Sequence, residues 1–377
     1  MAQTNPADIP FRQVIEALLD TEKPFTPLFL YRFSDLDKTD VDRLAEIWSD
    51  IPTWRRKALL EDIEVLGEED TLLSFEAVGQ FALSDSDPEV RLPAIGILWE
   101  YENPALVNPF LNLMETDPSP NVRSSAAGAL GRFVYRGELE EIPAQILKKI
   151  EDRLLVVING NDEPIVRCSA LEALGYSSRK EVPGIIEKAF QSGDKEWMAS
   201  ALNAMGRSAN SKWKPQVLSM LDSPLPSLRA EAARAAGELE IGAAASRLLE
   251  LLDDPDEATR LASIWSLSQL GGEGVRAALE RIYDETDDDH ERAYIESALD
   301  NLTFNEDMEL LPLLDISETP SKTPERLENE YEQYFAEAFT EDFDDGFELD
   351  LEDDLQDDQV WYDDEEDLEE NDEDMDA

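Results

Sequence analysis

The sequence predicts an all-α chain: an α-solenoid of about eight helix–turn–helix repeats, followed by a disordered acidic tail. Three observations carry that expectation. Arg91, Arg123, Arg167, Arg229, Arg260 and Arg292 recur in one phrase, "DPSPNVRSSAAGALG" at 117–131 and "NDEPIVRCSALEALG" at 161–175 among its copies. Counting Met198 as the substituted copy, the spacings are 32, 44, 31, 31, 31 and 32 residues. Around each arginine, apolar or small residues stand at offsets −1, +3 and +7, one face of a helix. Charge then changes abruptly, because 32 of the 87 Asp and Glu but only 2 of the 32 Lys and Arg lie after residue 304.

Taken in chain order, residues 1–51 form an N-terminal helical cap. Its helices are expected at "FRQVIEALL" (11–19) and "VDRLAEIW" (41–48), joined by the proline-bearing "KPFTPLFLYRF". Residues 52–304 form the repeats, beginning with the looser copy "PTWRRKALLEDIEVLG" (52–67) and its second helix in "TLLSFEAVGQFAL" (71–83). In the regular copies, Pro88, Pro120, Pro164 and Pro226 suit the first helical position, where a missing N–H costs nothing. Asp87, Ser119, Asp194, Asp256 and Asp288 are the capping residues before it. Gly131, Gly175, Gly206 and Gly237 are expected to supply left-handed C-terminal stops. A second amphipathic stretch follows each time, as in "VPGIIEKAF" (182–190), "ASRLLELL" (245–252) and "GVRAALERIY" (274–283). No such unit buries its apolar face alone, so neighbours must stack.

The unit D-P-x-x-x-V-R-x-x-A-x-x-A-L-G with a following helix resembles HEAT repeats, and is most similar to the short form in phycobilin-lyase-like HEAT proteins. The resemblance covers residues 85–302 and, more loosely, 52–83. It implies a right-handed solenoid and a ladder in which each arginine meets turn acids such as Asp85, Asp117 and Asp254. A ladder is also needed physically, since an arginine in a helix's first turn opposes the macrodipole at a cost of ~0.3–1 kcal/mol. An anion-binding stripe is the competing reading of the same row.

Departures from the pattern set further expectations. The 44-residue spacing contains "GELEEIPAQILKKIEDRLLVVINGND" (137–162), whose second helix should be about three turns longer than its equivalents. Trp99 replaces a stop glycine, so its helix should run on through "EYEN". Glu291 and Glu296 take positions that are apolar elsewhere, as suits a terminal repeat with a polar outer side.

Residues 305–377 read as a largely disordered tail, with a short helix at 324–339. Segments this self-repelling cannot bury enough apolar surface to offset ordering entropy. Tyr331, Phe335, Phe343, Phe347 and Trp361 are candidate partner-binding residues within it. Two readings stay open, a solubilising brush and a short binding element, and the tail is also able to fold back on Lys148, Lys149 and Arg153.

Chemistry is constrained by what is scarce. One cysteine, Cys168, and one histidine, His290, leave no catalytic triad and no Cys/His zinc site. "QLGGEG" (269–274) lacks the lysine of a phosphate loop, and no catalytic, cofactor-binding or metal residues are assigned. A net charge of −55 opposes direct nucleic-acid binding and anionic membranes. "MAQTNPADIP" lacks the basic and apolar regions of a signal peptide, so a cytoplasmic protein is expected. The expected function is a non-catalytic scaffold or adaptor that binds a protein partner, with a basic one as an option, through its row of second helices. The alternatives are an acidic chaperone of a basic protein and, from the resemblance alone, a phycobilin-lyase-like enzyme. Partner identity and oligomeric state stay open.

Overall fold

The computed structural model describes residues 9–310, with side chains through residue 304. These belong to the first of two units, Met1–Phe335. The helix expected at 324–339 and the five tail aromatics lie outside the described residues. Among the described residues there is no strand, and seventeen α-helices follow one another.

The N-terminal block holds α1 (Phe11–Leu19), a 3-10 segment at Pro27–Phe33, and α2 (Lys38–Trp48). Its core is Phe11, Val14, Leu18, Phe33 and Leu44, with Phe11 edge-on to Phe33 at 5.8 Å. Arg55, at the start of α3 (Thr53–Glu69), fastens this block to the repeats. It is buried and donates to the carbonyls of Ala17 at 2.9 Å and Lys23 at 3.2 Å.

From α3 onward the chain is an α-solenoid. Helix α3 pairs with α4 (Glu76–Ala82), α5 (Pro88–Ile97) with α6 (Val107–Thr116), and α7 (Pro120–Glu138) with α8 (Ala144–Asn159). Next come α9 (Pro164–Leu174) with α10 (Val182–Phe190), α11 (Lys195–Arg207) with α12 (Lys214–Met220), and α13 (Pro226–Glu238) with α14 (Ala245–Leu251). The last pair is α15 (Glu257–Leu270) with α16 (Val275–Glu285), and α17 (Asp289–Leu310) is an eighth first helix. Proline opens α5, α7, α9 and α13. Asp87, Asp194 and Asp256 accept backbone N–H bonds as caps. The apolar face is buried as its periodicity demands: Val90, Ala94, Val122, Ala126, Val166, Ala170, Ala201, Ala232 and Leu267 are all fully enclosed.

The glycines at offset +8 are not left-handed stops. Gly131, Gly206 and Gly237 lie inside helices, and Gly175 has φ −53°. Just beyond the ends of α7, α11 and α13 it is Glu140, Ala209 and Glu240 that are left-handed, at φ 60°, 48° and 49°. The glycines serve close approach instead. A Cβ on Gly175 would stand 2.8 Å from Ala204 Cα, and one on Gly131 would stand 3.1 Å from Ala173 Cα. Both contacts reach across to the next repeat's first helix, where backbone cannot swing aside. Gly175→Ala is therefore expected to destabilise by about 1–3 kcal/mol through overpacking. Urea unfolding would check this, and an unchanged midpoint would show that α9 and α11 separate freely.

Consecutive first helices consequently pack closely, α7 on α9, α11 on α13 and α13 on α15, while consecutive second helices barely meet. The stack is thus tight along its first helices and splayed along its second. Two other expectations are corrected. The insertion lengthens both members of its pair, α7 to 19 residues and α8 to 16, rather than α8 alone. Past Trp99 the α-helix does not continue: α5 ends at Ile97, passes through a 3-10 turn at Leu98–Glu100, and gives way to loop.

Candidate partner-binding surface

Each repeat arginine has two tasks. Its Nη1 donates to the carbonyl of its own turn, six residues back: Arg91 to Asp85 at 2.6 Å, Arg123 to Asp117 at 2.7 Å, Arg229 to Ser223 at 2.9 Å and Arg260 to Asp254 at 3.2 Å. Arg292 donates to the Thr286 carbonyl through Nη2 instead. Its other nitrogens reach the next repeat. Arg91 is bidentate to Asp117 at 2.7 and 2.8 Å, Arg123 to Asp162 at 3.0 and 2.6 Å, and Arg229 to Asp254 at 2.8 and 2.8 Å. The same acids bend the turn, since Asp85, Asp117, Asp162 and Asp254 each accept the N–H of the residue before the next proline or helix start. The guanidiniums hold Asp162 and Asp254 below the usual carboxylate range, against the opposing effect of burial.

The exceptions follow the same geometry. Where Met198 replaces the arginine, Ser223 replaces the acid it would meet, so neither charge is stranded. Arg167 faces a turn with Ser192 in place of an acid. It bonds Ile158 O at 3.0 and 2.9 Å and covers the Trp197 ring at 4.9 Å. Glu291 accepts from Arg260 at 3.0 Å and from Thr286 at 2.9 Å, and is thus the last ladder acid as well as a polar substitution. Arg56 is a rung absent from the expected set. It meets Asp85 at 2.8 Å, and Trp48 donates to the same carboxylate at 2.6 Å. Leu59 at +3 and Ile63 at +7, both buried, are the signal that identifies it.

With −1, 0, +3 and +7 committed inward, exposed groups remain toward the C-terminal ends of the first helices. Aromatic side chains collect there: Trp99 is 43 % exposed and Tyr135 48 %. Tyr135 lies 5.2 Å from Tyr176, and the Arg207 guanidinium covers the Tyr176 ring at 5.1 Å. Arg132 pairs with Glu100 at 3.3 Å and Glu102 at 3.1 Å, and Arg136 pairs with Glu102 and Glu141. These groups line a cleft of about 320 Å³ bounded by Trp99, Arg132, Tyr135, Arg136, Tyr176 and Arg207. Trp99 is also a wall of a second cleft, of about 610 Å³, between α3 and α5. Sequence reading missed this surface by favouring the second helices. Of the basic positions noted there, Arg153 is paired with Glu115 and Lys149 with Asn108.

Further along the row sits a semi-buried acid cluster. Glu172 accepts from Ser200 at 2.6 Å, and its backbone carbonyl accepts from Arg207 at 2.9 Å. Glu238 lies over Gly206, where a Cβ would strike its Oε2, and that oxygen is buried without a hydrogen-bond partner. Burial pushes Glu238 up to about 7, although Arg207 and Arg234 pull the other way. Burial likewise raises Glu172.

Residues 75–153 and 214–300 match the family model described as HEAT repeats. The chain has no significant match among curated proteins. Among solved structures it is similar to YibA of Escherichia coli, at 18 % identity over 74 % of this chain and 98 % of that one, with a TM-score of 0.38. It is also similar to the CpcE–CpcF complex of phycocyanin lyase from a Nostoc species, at 18 % identity over 60 % and 94 %, with a TM-score of 0.41. Yeast importin-beta matches at 13 % identity over 79 % of this chain and 46 % of that chain, with a TM-score of 0.41. Two stretches of the chain thus fit the HEAT-repeat model, on helices whose arginines tie each repeat to the next.

Proposed function

We propose that the chain is a non-catalytic scaffold that seats a protein partner on its first-helix row, with Trp99, Tyr135 and Tyr176 as anchors. The observation that carries this reading is the juxtaposition of exposed aromatics with Arg132, Arg136 and Arg207 on adjacent repeats. Trp, Tyr and Arg dominate the energetics of protein interfaces because they bury large area at low entropic cost. Among the described residues no helix is long and apolar enough to cross a membrane. We assign the protein to the cytoplasm.

The net charge of −55 favours a partner with basic character and supports the second reading, an acidic chaperone. The test is affinity purification with the full chain and with a Trp99→Ala, Tyr135→Ala variant. Loss of two anchors is expected to weaken capture of the enriched partner by roughly 30-fold or more. Equal recovery by both proteins would remove the first-helix row from the interface. The lyase-like alternative instead predicts a specific absorbance shift on incubation with a bilin, and the scaffold reading predicts none.

A further inference from the structure

We infer that the cleft between α3 and α5 receives a basic, apolar-flanked peptide segment, with a lysine or arginine directed at Glu64 and Glu68. This rests on the scaffold reading and names the chemistry of its partner. The floor is apolar: Ile63, Phe75 and Ile97 are buried there, and Trp99 forms a wall. Gly67 brings no side chain into the space, and Gly96 leaves room beside it for the Glu64 carboxylate. The Glu64 carboxylate lies where a Cβ on Gly96 would be, and is held at the cleft by that vacancy. A volume of about 610 Å³ accommodates a few side chains.

The charge at the rim is unbalanced. Glu64, Glu68 and Glu100 line the cleft. Glu100 has Arg132 beside it, but neither Glu64 nor Glu68 makes an ion pair among the described residues. Elsewhere on this row the exposed acids Glu102 and Glu141 are answered by arginine. Helix α3 ends at Glu69 and α5 at Ile97, so both present their carbonyl ends here and add partial negative charge. Burial, with Glu68 and Glu61 nearby, holds the Glu64 carboxyl above its ordinary range. An entering cation relieves that repulsion, gains the Trp99 face, and carries flanking apolar groups onto Phe75 and Ile97. An acidic or wholly polar segment gains none of this.

The probes are three labelled octapeptides: alternating arginine–leucine, alternating arginine–serine, and alternating glutamate–leucine. Anisotropy with the full chain at physiological salt should show binding of the first, at least tenfold weaker binding of the second, and none of the third. Glu64→Gln with Glu68→Gln should weaken the arginine–leucine peptide at least tenfold. A charge-matched control, Glu273→Gln with Glu280→Gln on the exposed surface of the last pair, should change it less than twofold. Equal losses in the two variants, equal affinity for the first two peptides, or no binding at all would overturn the assignment. If the peptide assay fails while the Trp99, Tyr135 variant still loses its partner, the cleft assignment falls and the scaffold reading stands.

Discussion

Arg91→Ala is expected to lower stability by about 3–5 kcal/mol, the range for removing one partner of a buried ion pair. Arg91 and Asp117 are both almost wholly enclosed, with side-chain exposures of 7 % and 3 %. Both carboxylate oxygens of Asp117 lie on the Arg91 guanidinium, at 2.7 and 2.8 Å. Truncation leaves that charge in the interior with only the Ser119 N–H, at 2.8 Å, to replace it. It also strands the Asp85 carbonyl. Arg229→Ala removes the equivalent pair where both partners keep more water, with exposures of 12 % and 7 %, so about 1–3 kcal/mol is expected there. Unfolding in a repeat array need not be all-or-none. Urea titration should therefore be joined to amide exchange, which should show protection lost first in α5 and α7. Changes within ~0.5 kcal/mol at both sites, typical of open surface positions, would mean that the ladder does not hold the repeats together.

The ladder arginines were legible because helical periodicity and a 31-residue spacing both point at one position. Their partners were only partly so. Asp117 and Asp254 follow from the turn register, but Asp162 stands behind an insertion and Glu291 takes an otherwise apolar place. Arg56 escaped because the turn before it lacks the usual acid–proline pair, although Leu59 and Ile63 keep the register. The glycines were misread for a physical reason. A left-handed stop and a bare backbone contact both demand glycine, and only the neighbouring helix distinguishes them. At Gly131 and Gly175 the deciding residues, Ala173 and Ala204, lie in the following repeat. The first-helix surface was hidden for the same reason. Which row is tight and which is splayed depends on contacts between repeats, and Trp99, Tyr135 and Tyr176 come together only once those contacts form.

Glu238→Gln is expected to stabilise the protein above neutral pH and to do little near pH 5. The Glu238 carboxyl is raised from an ordinary 4.5 to about 7 because it is buried, with its Oε2 lacking any partner. Its folded state therefore binds more protons than its unfolded state between those values. Such a group favours folding below about 4.5, and that contribution is lost as pH rises through about 7. Glutamine keeps the shape and cannot ionise, so it avoids the loss. The variant's advantage should grow by about 1–3 kcal/mol between pH 5 and pH 8, at 1.36 kcal/mol per pKa unit and discounted for partial solvation. The wild-type profile alone will not isolate this. Glu64, Glu151 and Glu172 are also raised, while Asp162 and Asp254 are lowered and lose their contribution on acidification. The quantity to measure is the difference between variant and wild type in urea unfolding at several pH values. Growth that runs from about pH 4.5 and levels off above about pH 7 assigns the titration to Glu238. A difference that stays flat from pH 5 to pH 8 would show the carboxylate ionised throughout. In that case Arg207 and Arg234 outweigh its burial, and the charge beside the Tyr176 cleft does not change with pH.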